Sequence, residues 1–264
     1  LSSAASDVYK RQPCTEALLW SGVKHVIVAH PDPNPTVRGK GFQVLRDAGI
    51  SVQSGLLEDQ AAEQMKPFLH WCEHRRPIVT VKLAVDANGS VDDNSAESKR
   101  FTSEACLDEV HRLRMDCDAI LVGAETVERD DPSLTVRRIE TERQPLRVIL
   151  DPKERTNKDA KVYNDGGETI RIGREYNGLL PLLNRLGDIE KQRLLVEGGP
   201  ATIHGFLSEG LVDEFYLVQS RVEHCEPVPS NIDGDVLKQS GLVLNHEEQW
   251  GEESVQVWMR KLSQ

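Results

Sequence analysis

The chain has 264 residues, a formal net charge of −11, and 38% hydrophobic, 28% charged and 5% aromatic residues. That length supports a full hydrophobic core in one large or two smaller domains. The acidic balance, with no basic stripe, argues against nucleic acid as a partner. No window approaches the ~20 consecutive apolar residues of a membrane helix, so no membrane association is expected. Five cysteines (Cys14, Cys72, Cys106, Cys117, Cys225) are scattered and without CxxC spacing, which speaks against a disulfide framework and for a reducing, cytoplasmic setting. Residues 1–12 lack an apolar signal-peptide core and any periodicity, and read as a loosely ordered segment.

A first segment, residues 13–76, carries a short helix over Thr15–Ser21, a strand over Lys24–Ala29 and turn signals at Asp32-Pro-Asn-Pro35 and Gly39-Lys-Gly41. A helix over Phe42–Asp47, a strand over Ile50–Gln53 and one longer helix over Glu58–Trp71, with Pro67 near its end, complete it. His74-Arg-Arg-Pro77 punctuates the chain as a candidate boundary. The second segment opens on Ile78–Val85, β-branched at most positions and hence a central strand. A polar loop, residues 86–98, precedes a helix capped by Thr102 or Ser103 and running to about Met115, with Val110, His111 and Leu113 near one face. Next come a strand at 118–123, a loop to Arg137, strands at Arg147–Asp151 and Thr169–Ile172, and a helix at Leu179–Leu186. Arg193–Gly199 reads as a strand entering a glycine turn before the helix Ala201–Ser208. Val212–Val222 and Val255–Met259 are the last strands, and 223–254 carry no readable pattern. Strands alternating with helices imply an α/β fold with a largely parallel sheet.

Several positions could carry chemistry. Gly198-Gly199, between a strand and a helix, is either an anion site or a plain turn, since no GxGxxG or Walker sequence is present. Lys82 in an apolar strand needs a carboxylate, a phosphate or an exit to solvent. Arg114 and Arg137 suit bidentate phosphate binding or surface ion pairs. Glu197 could interact with the following helix dipole. His70 and His74 share a helix face while Cys72 points away, and no fourth ligand is near, which disfavours a metal site.

The stretch Gly123-Ala-Glu-Thr126-Val-Glu-Arg-Asp130-Asp-Pro-Ser-Leu134-Thr-Val-Arg137 resembles the reductase half of the bacterial bifunctional riboflavin-biosynthesis deaminase/reductase family. So do Lys82-Leu-Ala84, Glu97-Ser98, and Val196-Glu197-Gly-Gly199. The resemblance runs from Pro13 to about Val222. It implies a dihydrofolate-reductase-like domain over 77–264, preceded by residues 13–76 as the C-terminal part of a cytidine-deaminase-like α/β domain. Residues 1–12 do not resemble the family and read as a truncated frame or foreign junction. The implied reaction is NADPH-dependent reduction of 5-amino-6-(5-phosphoribosylamino)uracil, a small-molecule pyrimidine sugar phosphate, to its ribitylamino product. Cofactor residues implied are Ala84, Arg100, Thr126, Asp130 and the run Gly199, Pro200, Ala201, Thr202, Ile203, His204 and Gly205. Substrate residues implied are Ser98, Arg114, Leu134, Arg137 and Glu197. No proton donor is singled out.

Three positions depart from the family pattern: Asp86 stands for serine, Asn88 for aspartate and Arg100 for tryptophan, which questions any charge-dependent role at Asn88 and stacking at Arg100. Cys14 matches one zinc-ligating cysteine of the deaminase, but the His-Ala-Glu element and the other cysteine are absent. The metal site is therefore expected to be vestigial and deamination absent. The resemblance also implies a homo-oligomer formed through the reductase domain. The alternatives are a catalytically silent nucleotide-binding fragment and a reductase acting on another pterin or pyrimidine.

Overall fold

The computed structural model describes residues 14–33, 40–93 and 101–261, and the chain divides into two compact units between His74 and Arg75. The readings made for residues 1–13, the middle of the first turn region, Ser98 and Arg100 fall outside the described residues. In the first unit the order is α1 (Cys14–Trp20), β1 (His25–Val28), α2 (Lys40–Asp47), β2 (Ser51–Ser54), α3 (Glu58–Gln64) and α4 (Lys66–His74). β1 and β2 pair in parallel with Val26 opposite Val52. The single helix expected over Glu58–Trp71 is two. Met65 ends α3 with φ −96° and ψ 6°, and Pro67 sits in the first turn of α4, where a missing N–H costs no hydrogen bond.

The second unit runs β3 (Ile78–Val85), β4 (Ser90–Asp93), α5 (Glu104–Met115), β5 (Ala119–Gly123), α6 (Ala124–Asp130), β6 (Leu146–Leu150), α7 (Lys161–Asn164), β7 (Thr169–Ile172), α8 (Leu179–Asp188) and β8 (Arg193–Val196). It continues with α9 (Pro200–Ser208), β9 (Glu214–Gln219), β10 (Pro227–Pro229), α10 (Gly234–Gln239), β11 (Leu242–Trp250) and β12 (Glu253–Arg260). An eight-stranded sheet has the order β11-β12-β9-β3-β8-β5-β6-β7. The six strands from β9 to β7 are mutually parallel, and β12 and β11 close one side in antiparallel pairing. This is the α/β class expected.

Both faces of the sheet are covered, which is why its inner strands read as continuous apolar runs. Val79, Val81, Leu83 and Val196 pack with α8 and α9 on one face. Ile120, Val122 and Leu195 pack with Val127 and Leu134 on the other, and Cys106 and Val110 of α5 meet Val255 and Val257. Ser103 caps α5 by accepting from the Cys106 N–H, and Glu253 in turn accepts from the Ser103 N–H and hydroxyl at 2.7 and 2.5 Å. All five cysteines are free thiols. No helix among the described residues is long and apolar enough to cross a membrane.

Two expectations are corrected here. The loop expected between residue 123 and Arg137 begins with α6, a helix that buries only Ala124 and Val127, so its sequence shows no apolar stripe. The loop expected over 86–98 contains β4, which pairs with β10.

The topology puts one place under suspicion. β8 lies between β3 and β5, so the chain leaving β5 moves outward to β6 while the chain leaving β8 crosses over β3 to β9. The two following helices start side by side and go to opposite faces. A crevice opens at such a switch point, beyond the carboxyl ends of the strands.

Candidate active site

Three glycines shape the base of that crevice. A Cβ at Gly123 would lie 2.7 Å from Thr202 Oγ1, and one at Gly198 would lie 2.9 Å from Thr202 Cβ. Hydrogen at both positions lets the start of α9 approach the end of β5. Gly199 is the N-cap of α9 and has no side chain to bond the first-turn N–H groups, while Pro200 removes one of them. The remaining donors and the positive end of the helix suit a phosphate. Thr126 is adjacent, its Oγ1 3.8 Å from where a Gly199 Cβ would stand. The structure thus brings together Thr126, Gly199, Pro200 and Thr202, and these residues fit the nucleotide that the resemblance implies. Ile203 is buried in the core under α9, and His204 makes a 3.2 Å hydrogen bond with the Ser230 carbonyl oxygen. Asp130 is exposed at the far end of α6.

Next to the glycines stands a buried ion pair. Arg114 Nε and Nη2 donate to the two Glu197 oxygens at 2.6 and 2.8 Å, and both side chains are 10% exposed. Burial alone would push the Glu197 carboxyl up, but the Arg114 charge and hydrogen bonds, with Lys82 behind them, hold it below its usual range. Burial alone would likewise pull Arg114 down, and Glu197 keeps it above its ordinary value. Glu197 therefore spends its charge on Arg114 rather than on the helix dipole. Arg114 has its Nη1 on the Thr135 carbonyl oxygen at 3.3 Å, so both arms of its guanidinium are engaged.

The stretch Asp131–Arg137 follows. Asp131 and Leu134 adopt left-handed φ of 40° and 55° without being glycine, a conformation that persists only where surroundings enforce it. They do. Asp131 Oδ1 accepts from the Lys161 N–H at 2.8 Å, Arg147 Nη1 donates to the Ser133 carbonyl at 2.9 Å, and the Gln144 carboxamide bonds both the N–H and the carbonyl of Val136 at 2.8 Å. The Arg137 N–H donates to His111 Nδ1 at 3.2 Å. Leu134 is 3% exposed, its side chain in the core with Val127 and Ile149, whereas Arg137 itself is exposed.

The turn after β3 forms the third side. Asp86 is fully buried and accepts from the N–H groups of Asn88, Ser90 and His224. Its burial would raise the carboxyl, but those three bonds hold it below the usual carboxylate range. The carboxylate at this turn is thus supplied by Asp86, while Asn88 is exposed and contributes its backbone N–H. Ala84, two residues earlier in β3, is partly buried and packs in the cluster of Cys106 and Val110. Arg129 on α6 ties this region down, donating to Asp92 Oδ2 at 2.7 Å and to the Asp93 carbonyl at 3.1 Å.

Sequence reasoning missed Arg147, His111, Gln144 and Asp86 as parts of the site. One signal was available: Arg147 is a cation inside an apolar strand, the same anomaly that drew attention to Lys82. Cys14 is exposed, and among the described residues no group of three or more His, Cys, Asp or Glu comes together as a metal needs. The donors among the described residues do not fit a zinc centre.

Residues 77–220, which contain the glycine turn and the pinned loop, match the RibD C-terminal domain family. The chain belongs to that family. It is 39% identical over 221 residues to the riboflavin biosynthesis protein RibD of Aquifex aeolicus, covering 76% of this chain and 62% of that protein. The chain therefore spans less than two thirds of that RibD relative's length. The solved RibD of Acinetobacter baumannii has 32% identity and a TM-score of 0.83, over 95% of this chain and 76% of its own. A Thermotoga maritima structure, described as a diaminohydroxyphosphoribosylaminopyrimidine deaminase/5-amino-6-(5-phosphoribosylamino)uracil reductase, has 29% identity and a TM-score of 0.82, over 96% and 76%. These likenesses give the second unit the dihydrofolate-reductase-like fold of the RibD reductase domain.

Proposed function

We propose that this chain is the reductase of a riboflavin-biosynthesis protein, binding NADPH across the switch-point crevice and reducing 5-amino-6-(5-phosphoribosylamino)uracil to its ribitylamino product. The observation that carries the reading is the meeting, inside the family-matched stretch, of a side-chain-free helix N-terminus with a loop pinned on the opposite wall. NADPH supplies the hydride when bound. The α9 N–H groups, Thr126 and Thr202 would hold its phosphates, and Asp130 is assigned to it by the resemblance. Arg137 is the exposed cation for the sugar phosphate, with charge-assisted hydrogen bonds suited to it. The Arg114–Glu197 pair fixes the floor on which the ribose stands, and orientation of C1′ toward the cofactor is the protein's main contribution. Ser98 and Arg100 are assigned to substrate and cofactor by the resemblance alone. Deamination is left out of this reading, because Cys14 is the one zinc-ligating position that the resemblance matches in this sequence. Self-association through the second unit is supported by the exposed Val243 and Leu244 on the outermost strand β11, and sedimentation tests it.

The direct test is to incubate the purified chain with NADPH and the ribosylamino-uracil phosphate. Consumption of NADPH with formation of the ribityl product is expected, and NADPH binding without oxidation would reduce the chain to a nucleotide binder. Arg137→Ala should raise the substrate KM by about tenfold or more, the loss of one charged hydrogen bond, with the melting temperature unchanged. An unchanged KM would remove Arg137 from the substrate site.

A further inference from the structure

His111 is fully buried on the face of α5 that also carries Arg114. Successive turns of this one helix grip alternate residues of the pinned loop: Arg114 takes the Thr135 carbonyl and His111 takes the Arg137 N–H. Accepting an amide proton requires a lone pair on Nδ1, and therefore a neutral ring with its proton on Nε2. The surroundings enforce that form. Burial, then the charges of Arg114 and Arg137, push the imidazole down to about 4, against a smaller opposing pull from Glu197 and a further push from Arg138. The other ring nitrogen, Nε2, is buried without a hydrogen-bond partner, a cost that an apolar side chain of similar size would not incur. The bond to Arg137 is what the imidazole contributes in return.

We infer that His111 is a positioning residue for the substrate: its Nδ1 holds the Arg137 backbone and so sets where the Arg137 guanidinium meets the sugar phosphate. This rests on the assignment of Arg137 as a phosphate ligand. Arg137 closes the loop, and beyond it Arg138, Glu140 and Glu142 are exposed. The Arg138 side chain bonds Asp108 and Glu104 of α5, so the His111 bond is the one that acts on the Arg137 backbone itself.

Three variants separate this role from simple packing. His111→Asn places an oxygen acceptor near the Nδ1 position, His111→Gln places its amide near Nε2, and His111→Leu removes both. Each is followed by hydrogen exchange at the Arg137 amide, by melting temperature, and by KM for substrate and for NADPH. The asparagine variant should keep Arg137 protected and the substrate KM near that of the parent chain. The glutamine and leucine variants should lose protection and raise the substrate KM about tenfold, leaving the NADPH KM unchanged. Should leucine prevent folding, the asparagine–glutamine contrast still decides the matter. Equal behaviour of all three, or lost protection with unchanged substrate KM, would overturn the role of His111 in an active enzyme. A parent chain that consumes no NADPH would overturn the reductase reading itself, a separate and recognisable result.

Discussion

On one wall of the crevice Gly123, Gly198 and Gly199 bring backbone close and leave N–H groups uncovered; on the other, Arg114, Glu197, His111, Gln144 and Arg147 hold a loop through side-chain hydrogen bonds. The first wall is built by omission and offers a generic anion seat. The second is built mostly from buried polar groups, Arg114, His111 and Arg147 among them, each bonded to the loop or to a neighbour, so each member depends on the others. Damage should therefore stay local on the glycine wall and spread on the other.

The largest expected effect tests that dependence. Glu197→Ala leaves the Arg114 guanidinium buried and unpaired and should cost about 3–5 kcal/mol in urea unfolding, whereas the double replacement Arg114→Met/Glu197→Met should cost much less. If the double costs as much as the single, the two residues do not act as a pair. Acid comes next. His111 sits at about 4 in the folded chain against 6.5 when unfolded, so between those values the unfolded state binds more protons. Stability should fall as pH drops from 6.5 toward 4, by on the order of 1–3 kcal/mol, and His111→Asn should flatten that slope. The glycine wall answers to Gly123→Ala: its Cβ meets Thr202, and NADPH affinity should fall about tenfold in a fluorescence titration with little change in melting temperature. A large drop in melting temperature would show that this wall, too, is coupled to the core. Smallest of all, Arg138→Ala breaks only exposed ion pairs to Glu104 and Asp108 and should leave melting temperature and both KM values alone.

How much of this was legible in the sequence divides along the same line. β3 and β5 announce themselves because both faces of each are covered, and Ser103 was readable as a cap because capping is a local bond. α6 was read as a loop because Glu125, Glu128, Arg129 and Asp130 leave no apolar stripe, its burial resting on Ala124 and Val127 alone. β11 was unreadable for a related reason: as the outermost strand it is exposed from Val243 to Gln249, and without a buried face there is no alternation to see. The glycines of the crevice were visible as a motif. The bonds between Arg114 and Glu197 and between His111 and Arg137 were not, since each joins residues far apart in the chain, and the family resemblance names contacts to ligands rather than contacts between the residues that make them.

The position of β8 carries a consequence for how the molecule is made. Arg193–Val196 is the strip that fills the gap between β3 and β5, yet it leaves the ribosome long after both. Until it arrives, the two halves of the sheet have no shared neighbour, and pairing across so long a stretch of chain is slow. Glu197 and the glycine turn come directly behind it. Closing the sheet and assembling the crevice are one event, so a nascent chain halted before Arg193 would hold neither a finished sheet nor a site, and its open strand edges would be the surface that a chaperone must cover.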